Sequence, residues 1–222
     1  FYKFTVNDKG AIRFGMGAVK GVGRAAVETI VAHRQEKPYE SIFDLTQRID
    51  LRAANKKSFE SLILAGGLDS LSDAHRSQYF HHNGDGVTFV EKALKYGAQH
   101  QENEQSSQVS LFGADAAVTI ATPELPICEP WTALKELKQE KEVVGIYISA
   151  HPLDDFAPAM KHFCNAKLGV FNDMDALVNK ELSFGGMVGE VDHRVSKNGK
   201  GWAMFILEDF EESFQFKIFG EE

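Results

Sequence analysis

The sequence predicts a multidomain α+β protein: a helical unit, a helical linker region, then part of a small curved β-barrel. Three observations carry this. Between Lys20 and Gly67, apolar residues recur at helical spacing, and capping residues stand between the runs. From Gln99 to Ser110 the chain is nearly all Gln, Asn, Glu and Ser, with little to bury. From Leu182 onward the apolar period changes to two, broken by turn clusters rich in Gly, Asn and acidic residues.

Phe1 to Phe14 alternates weakly, and Asn7-Asp8-Lys9-Gly10 between apolar pairs reads as a short β-hairpin. The next stretch, Lys20-Gly21-Val22-Gly23-Arg24, precedes a helix expected from Ala25 to Arg34, with Val27, Ile30 and Val31 on its apolar face. Glycine tolerates a tight bend and lets another backbone approach. The first turn of the helix behind it has amides without intrahelical partners, at the positive end of the helix dipole. Such a place suits a phosphate, and Lys20 and Arg24 bracket it with positive charge. This is a helix-hairpin-helix pattern, which holds a nucleic-acid backbone without reading bases. A Gly-rich turn joining two packed helices is the other reading.

The charge distribution favours the phosphate reading. The net charge is −8, yet Ala11 to Lys57 contains nine Lys/Arg against five Asp/Glu, and the remainder fifteen against twenty-seven. The basic excess surrounds the glycine bend, and the rest of the surface is acidic.

Ser41 is placed to cap a helix through Arg48, with Asp44 at the reciprocal position. Asn55 is placed to cap another from Lys56 to Ala65, which Gly66-Gly67 ends. These elements predict a compact four-helix unit, with room for two hairpin modules in tandem. Arg52, Lys56 and Lys57 suit either a second phosphate contact or a solvated helix end. Leu71 to Gln99 reads as one or two helices containing His75, His81 and His82, without metal-ligand spacing.

The polar run from Gln99 predicts a mobile tether ending in Gln108-Val109-Ser110-Leu111-Phe112-Gly113. An exposed Leu-Phe pair behind a glutamine suits a peptide that docks in a partner's pocket. Folding back onto the helical unit is the alternative. A helix is expected from Pro130, in first position, to about Val144, with Trp131, Leu134, Leu137 and Val144 buried. Asp173-Met174-Asp175 reads as acidic capping of a helix start rather than a carboxylate metal site.

Strands are expected from Leu182, from Trp202 to Leu207 and from Phe214 to Phe219, with glycines marking a bulge. They would begin a five-stranded OB-type barrel. Lys197, Lys200 and Trp202 suit single-strand binding, while Glu208-Asp209 and Glu211-Glu212 weigh toward a plain scaffold. Phe1 in place of Met predicts a piece of a longer chain. No apolar run approaches membrane-spanning length, and the separated Cys128 and Cys164 fit thiols of a reducing cytoplasm.

The order of these parts resembles the bacterial DNA polymerase III alpha subunit. The residues carrying the resemblance are Ile12 to Gly23, Asn55-Lys56-Lys57 through Ser70, Gln108 to Phe112, and Glu140-Lys141-Glu142 with Gly145, Ser149 and His151-Pro152-Leu153. The resemblance implies a non-catalytic DNA-binding and clamp-binding portion of a replicative polymerase. Residues 1–98 would be the helix-hairpin-helix unit ending the fingers and 99–125 a flexible linker with the clamp peptide. Residues 126–180 would be a helical connector and 181–222 the first strands of an OB domain. Lys20, Gly21, Val22, Gly23 and Arg24, with Lys56 and Lys57, would hold duplex DNA. Gln108, Ser110, Leu111 and Phe112 would bind the sliding clamp (the beta subunit). Single-stranded template through the OB domain and other replisome subunits would be further partners, in the cytoplasm and without a membrane. The catalytic carboxylates of the family have no match here, so this piece should be inactive alone and hold no cofactor, while the parent would use Mg2+. A DNA-repair adaptor, a lesion-bypass relative and a scaffold whose hairpin no longer binds DNA stay open as alternatives.

Overall fold

The computed structural model describes residues 1–109 and 120–219. It divides the chain into two units, residues 1–148 and 149–222. The first opens with an antiparallel pair, β1 (Thr5–Val6) and β2 (Ile12–Arg13), joined through Gly10 at φ +77°. Five helices follow: α1 (Arg24–Glu36), α2 (Ile42–Arg48), α3 (Lys56–Leu64), α4 (Arg76–Phe80) and α5 (Phe89–Val109). A sixth, α6 (Ala133–Val144), completes the unit.

Local chemistry sets several boundaries as expected. Ser41 Oγ accepts the amide of Asp44, and Asn55 Oδ1 accepts that of Ser58. The Asp44 carboxylate returns to Glu40 rather than to Ser41, one residue outside the usual capping box. Gly66, at φ +76°, closes α3, and Gly67 donates to Leu62 at 2.7 Å. The core beneath these helices is built from Val27, Ile30, Leu45, Ile49, Phe59, Ile63, Tyr79 and Val90, all buried.

The polar run does not start a tether at residue 99. Helix α5 runs through it to Val109. Gln and Glu are good helix formers, so a helix anchored by buried Phe89, Val90 and Ala93 continues through residues that bury little. Gln101 contributes more, because its Nε2 donates to the carbonyls of Thr46, Gln47 and Ile49 at 3.0, 3.1 and 2.9 Å and caps the end of α2. At Gly97 a Cβ would lie 2.5 Å from Thr46 O, so glycine permits α5 to approach α2.

Just past the expected linker of residues 99–125, the chain is tied to the helical unit. Gln78 Nε2 donates to Pro126 O at 2.7 Å, Ser77 Oγ donates to Glu129 O at 3.0 Å, and Trp131 stacks on Phe80. Ala133, not Pro130, is the first residue of α6, and Thr132 caps it, its hydroxyl accepting the amide of Lys135. The buried stripe is Leu137, Glu140 and Val143, whereas Leu134 is 46% exposed. Glu140 is fully buried with Oε2 3.5 Å from Arg76 Nη1, and its Oε1 accepts the amide of Ile148 at 2.6 Å. The expected connector of residues 126–180 is thus shared between the two units, divided at Ser149.

The second unit contains α7 (Ala157–Phe163) and an antiparallel sheet of β3 (Met187–Val195), β4 (Gly201–Glu208) and β5 (Ser213–Phe219), in that order. The register shifts between Val188 and Val191, which is the expected bulge, with Gly189 inside it. Phe171, Phe184, Phe205, Phe214 and Phe216 cluster on one face. The buried carboxylate of Asp209 organises the β4–β5 turn, accepting the amides of Leu168, Glu211 and Glu212, each at 2.8 Å. Burial alone would raise its pKa, but the amides of Glu212, Leu168 and Glu211 outweigh burial and hold it below the usual 3.8. A folded-state value below the unfolded one stabilises above pH 3.8 and is lost as pH falls through the folded value. Asp209→Ala should therefore destabilise this unit by about 2 kcal/mol at neutral pH. The difference from the native chain should shrink in acid, as read by denaturant melts at several pH values.

Among the described residues no helix is long and apolar enough to cross a membrane. No trio of His, Cys, Asp or Glu among them converges on a metal position.

Candidate nucleic-acid interface

The bend at residues 19–23 is a turn in which Val22 N–H returns to Val19 O at 3.1 Å, with Gly21 at φ +87°. This is the type II arrangement, which demands a residue tolerant of positive φ at its third position. Val19 and Val22 are buried and anchor the bend, while Lys20, Gly21, Gly23, Arg24 and Ala25 are exposed. Lys20 N–H is taken by the carbonyl of Val143 at 2.7 Å. The amides of Gly21, Gly23, Arg24, Ala25 and Ala26 have no acceptor among the described residues.

The start of α1 contrasts with those of α2, α3 and α6. Each of the latter has a side-chain oxygen on its free amides, whereas Gly23 supplies none and the first turn of α1 has no acidic residue. The helix thus leaves its positive end open to an external anion.

Three cations stand at this opening. Lys20 is exposed and has no ion-pair partner among the described residues. Arg24 meets Glu28 at 2.7 Å, but both side chains are mostly exposed, so water screens the pair and it contributes little. Lys57 lies along Gly21: a Cβ on that glycine would sit 3.4 Å from Lys57 Cγ and Cε. Lys56, its neighbour, is held elsewhere, 2.8 Å from Glu91 and 3.6 Å from Glu60. The structure brings Lys20, Gly21, Val22, Gly23, Arg24 and Lys57 together and does not add Lys56.

Two supports of the bend were not singled out in the sequence. Ser58 Oγ, almost fully buried, donates to Gly21 O at 3.2 Å. Its signal is a pair of small polar residues, Ser58 and Ser61, one turn apart on the apolar face of α3, where another backbone must come close. Val143 has no comparable local signal, since its contact with Lys20 spans most of the unit.

Of the other predicted positions, Lys197 and Lys200 are exposed on the β3–β4 turn. Trp202 stacks on Phe219 with ring centroids 5.6 Å apart, and Arg194 lies 5.6 Å from its ring. The acidic Glu208 to Glu212 run stands at the opposite end of β4, roughly 20 Å away by strand rise. Ser110, Leu111 and Phe112 lie outside the described residues, and Gln108 is in the last turn of α5.

An open helix start behind a glycine bend, with cations around it, defines a helix-hairpin-helix unit, and residues 1–79 match the family model for the helix-hairpin-helix motif. Similarity extends much further. The chain is 30% identical over 99% of its length to the DNA polymerase III subunit alpha of Vibrio cholerae, covering 18% of that protein. It is 32% identical over 94% of its length to the corresponding subunits of Mycobacterium tuberculosis and Escherichia coli, covering 17% of each. The chain is thus similar, over nearly its whole length, to a segment of bacterial DNA polymerase III alpha subunits. It spans less than a fifth of the length of these relatives.

Proposed function

We propose that this chain is the part of a bacterial replicative DNA polymerase that grips the duplex backbone and holds the sliding clamp, while polymerisation proceeds elsewhere in the parent enzyme. The observation that carries the DNA reading is the row of open amides at Gly21, Gly23, Arg24 and Ala25, flanked by Lys20 and Lys57. Amides and lysines of this kind bind phosphate and ignore base identity, which suits an enzyme that must move along any sequence. Gln108, Ser110, Leu111 and Phe112 would add a second attachment, raising the effective concentration of the enzyme at the primer end. Lys197, Lys200 and the Trp202–Phe219 stack would offer a platform for single-stranded template, supported by their distance from the acidic turn.

Fluorescence anisotropy of the chain with duplexes of unrelated sequence tests the DNA reading. Affinities should be alike and should fall steeply with salt. Lys20→Glu should weaken every duplex equally and reduce the slope of log K against log salt by about one, the signature of one lost phosphate contact. An unchanged slope would remove the hairpin from the account.

A further inference from the structure

We infer that Ser58 is a positioning residue for the phosphate grip, setting the bend from below so that its free amides face outward. This rests on the DNA reading above and adds a residue to it. The bend has a chain of hydrogen bonds on its inner side: Lys20 N–H to Val143 O at 2.7 Å, Val22 N–H to Val19 O at 3.1 Å, and Ser58 Oγ to Gly21 O at 3.2 Å. Glycine at φ +87° is free to rotate its peptide planes, and the unfavoured orientation would aim a carbonyl dipole at the phosphate. Both ends of the Gly21–Val22 peptide are bonded, its carbonyl by Ser58 and its amide by Val19, so that plane is held. The amides of Gly21, Gly23, Arg24 and Ala25 are thereby preorganised before DNA arrives, which removes an ordering cost from binding.

Helix α3 is built for this role. Asn55 Oδ1 caps it through the backbone amide of Ser58 at 3.1 Å, and the Ser58 hydroxyl lies between that oxygen at 3.3 Å and Gly21 O at 3.2 Å, so the cap and the bend are joined through Ser58. One turn on, Ser61 Oγ is buried beside Gly21 and makes no hydrogen bond. Of the two small residues against the bend, only Ser58 bonds its backbone.

Ser58→Ala keeps the backbone-amide bond of the cap and loses only the longer 3.3 Å hydroxyl contact to Asn55 Oδ1, and alanine, the best helix former, keeps the helix. Duplex binding by the full chain should weaken by about three- to tenfold, the equivalent of one hydrogen bond. The salt slope should match that of the native chain, since no phosphate contact is lost. Ser61→Ala, which removes a hydroxyl without a partner, should leave affinity unchanged. Counting binding-competent molecules by stoichiometric titration separates positioning from folding. A smaller competent fraction with native affinity per molecule would overturn the inference, as would equal losses in Ser58→Ala and Ser61→Ala. If Lys20→Glu reduces the slope while Ser58→Ala binds like the native chain, the inference fails and the DNA reading stands. If Lys20→Glu also has no effect, the DNA reading itself fails.

Discussion

Arg76→Met is expected to lower the stability of the helical unit by about 3 kcal/mol or more, the cost of breaking a buried ion pair on one side. The Arg76 side chain is only 11% exposed and joins three elements. Its Nη2 meets Asp69 at 2.7 Å, Nη1 donates to Leu64 O at 3.2 Å at the end of α3, and Nη1 faces Glu140 on α6 at 3.5 Å. Removing the guanidinium takes the Arg76 contact from a fully buried carboxylate and leaves the end of α3 with one carbonyl less satisfied. Lysine should rescue little, because a single ammonium cannot span three acceptors. Urea melts of the two variants check this, and a loss below about 1 kcal/mol would mean that Glu140 does not depend on Arg76. The consequence reaches the hairpin, because α6 also carries the Val143 carbonyl that receives Lys20 N–H.

The second large effect concerns the clamp. Leu111→Ala combined with Phe112→Ala is expected to reduce capture of a bacterial sliding clamp by at least about a hundredfold. Each side chain would lose roughly 1.5–3 kcal/mol of burial in a partner's pocket. Affinity for duplex DNA should be unchanged, since the supports of the bend are Val19, Ser58 and Val143. Clamp capture equal to that of the native chain would remove the peptide from the account. A fall in DNA affinity would mean that the two attachments are not independent.

The fold was legible where it depended on near neighbours. Ser41, Asn55 and Gly66 set helix ends from within a few residues, and the strands after Leu182 announced themselves by alternation. The hairpin was legible for the same reason: a glycine bend needs only its own sequence and the helix behind it. What escaped depended on partners far along the chain. Gln101 reads as a linker residue until the end of α2, more than fifty positions earlier, offers it three carbonyls. Glu140 reads as part of a solvated face until Arg76 and the Ile148 amide occupy its carboxylate. Lys56 and Lys57 are equivalent in sequence, yet the 100° turn between them sends one to Glu91 and the other alongside Gly21.

The most direct test follows backbone amides by two-dimensional NMR as duplex DNA is added to the isotopically labelled chain. Large shifts and slowed hydrogen exchange are expected at Gly21, Gly23, Arg24 and Ala25. Lys20 and Val22, whose N–H groups are already bonded to Val143 and Val19, should show smaller changes. Saturable binding that leaves those four amides unmoved, with the perturbed residues confined to the second unit, would contradict the phosphate grip.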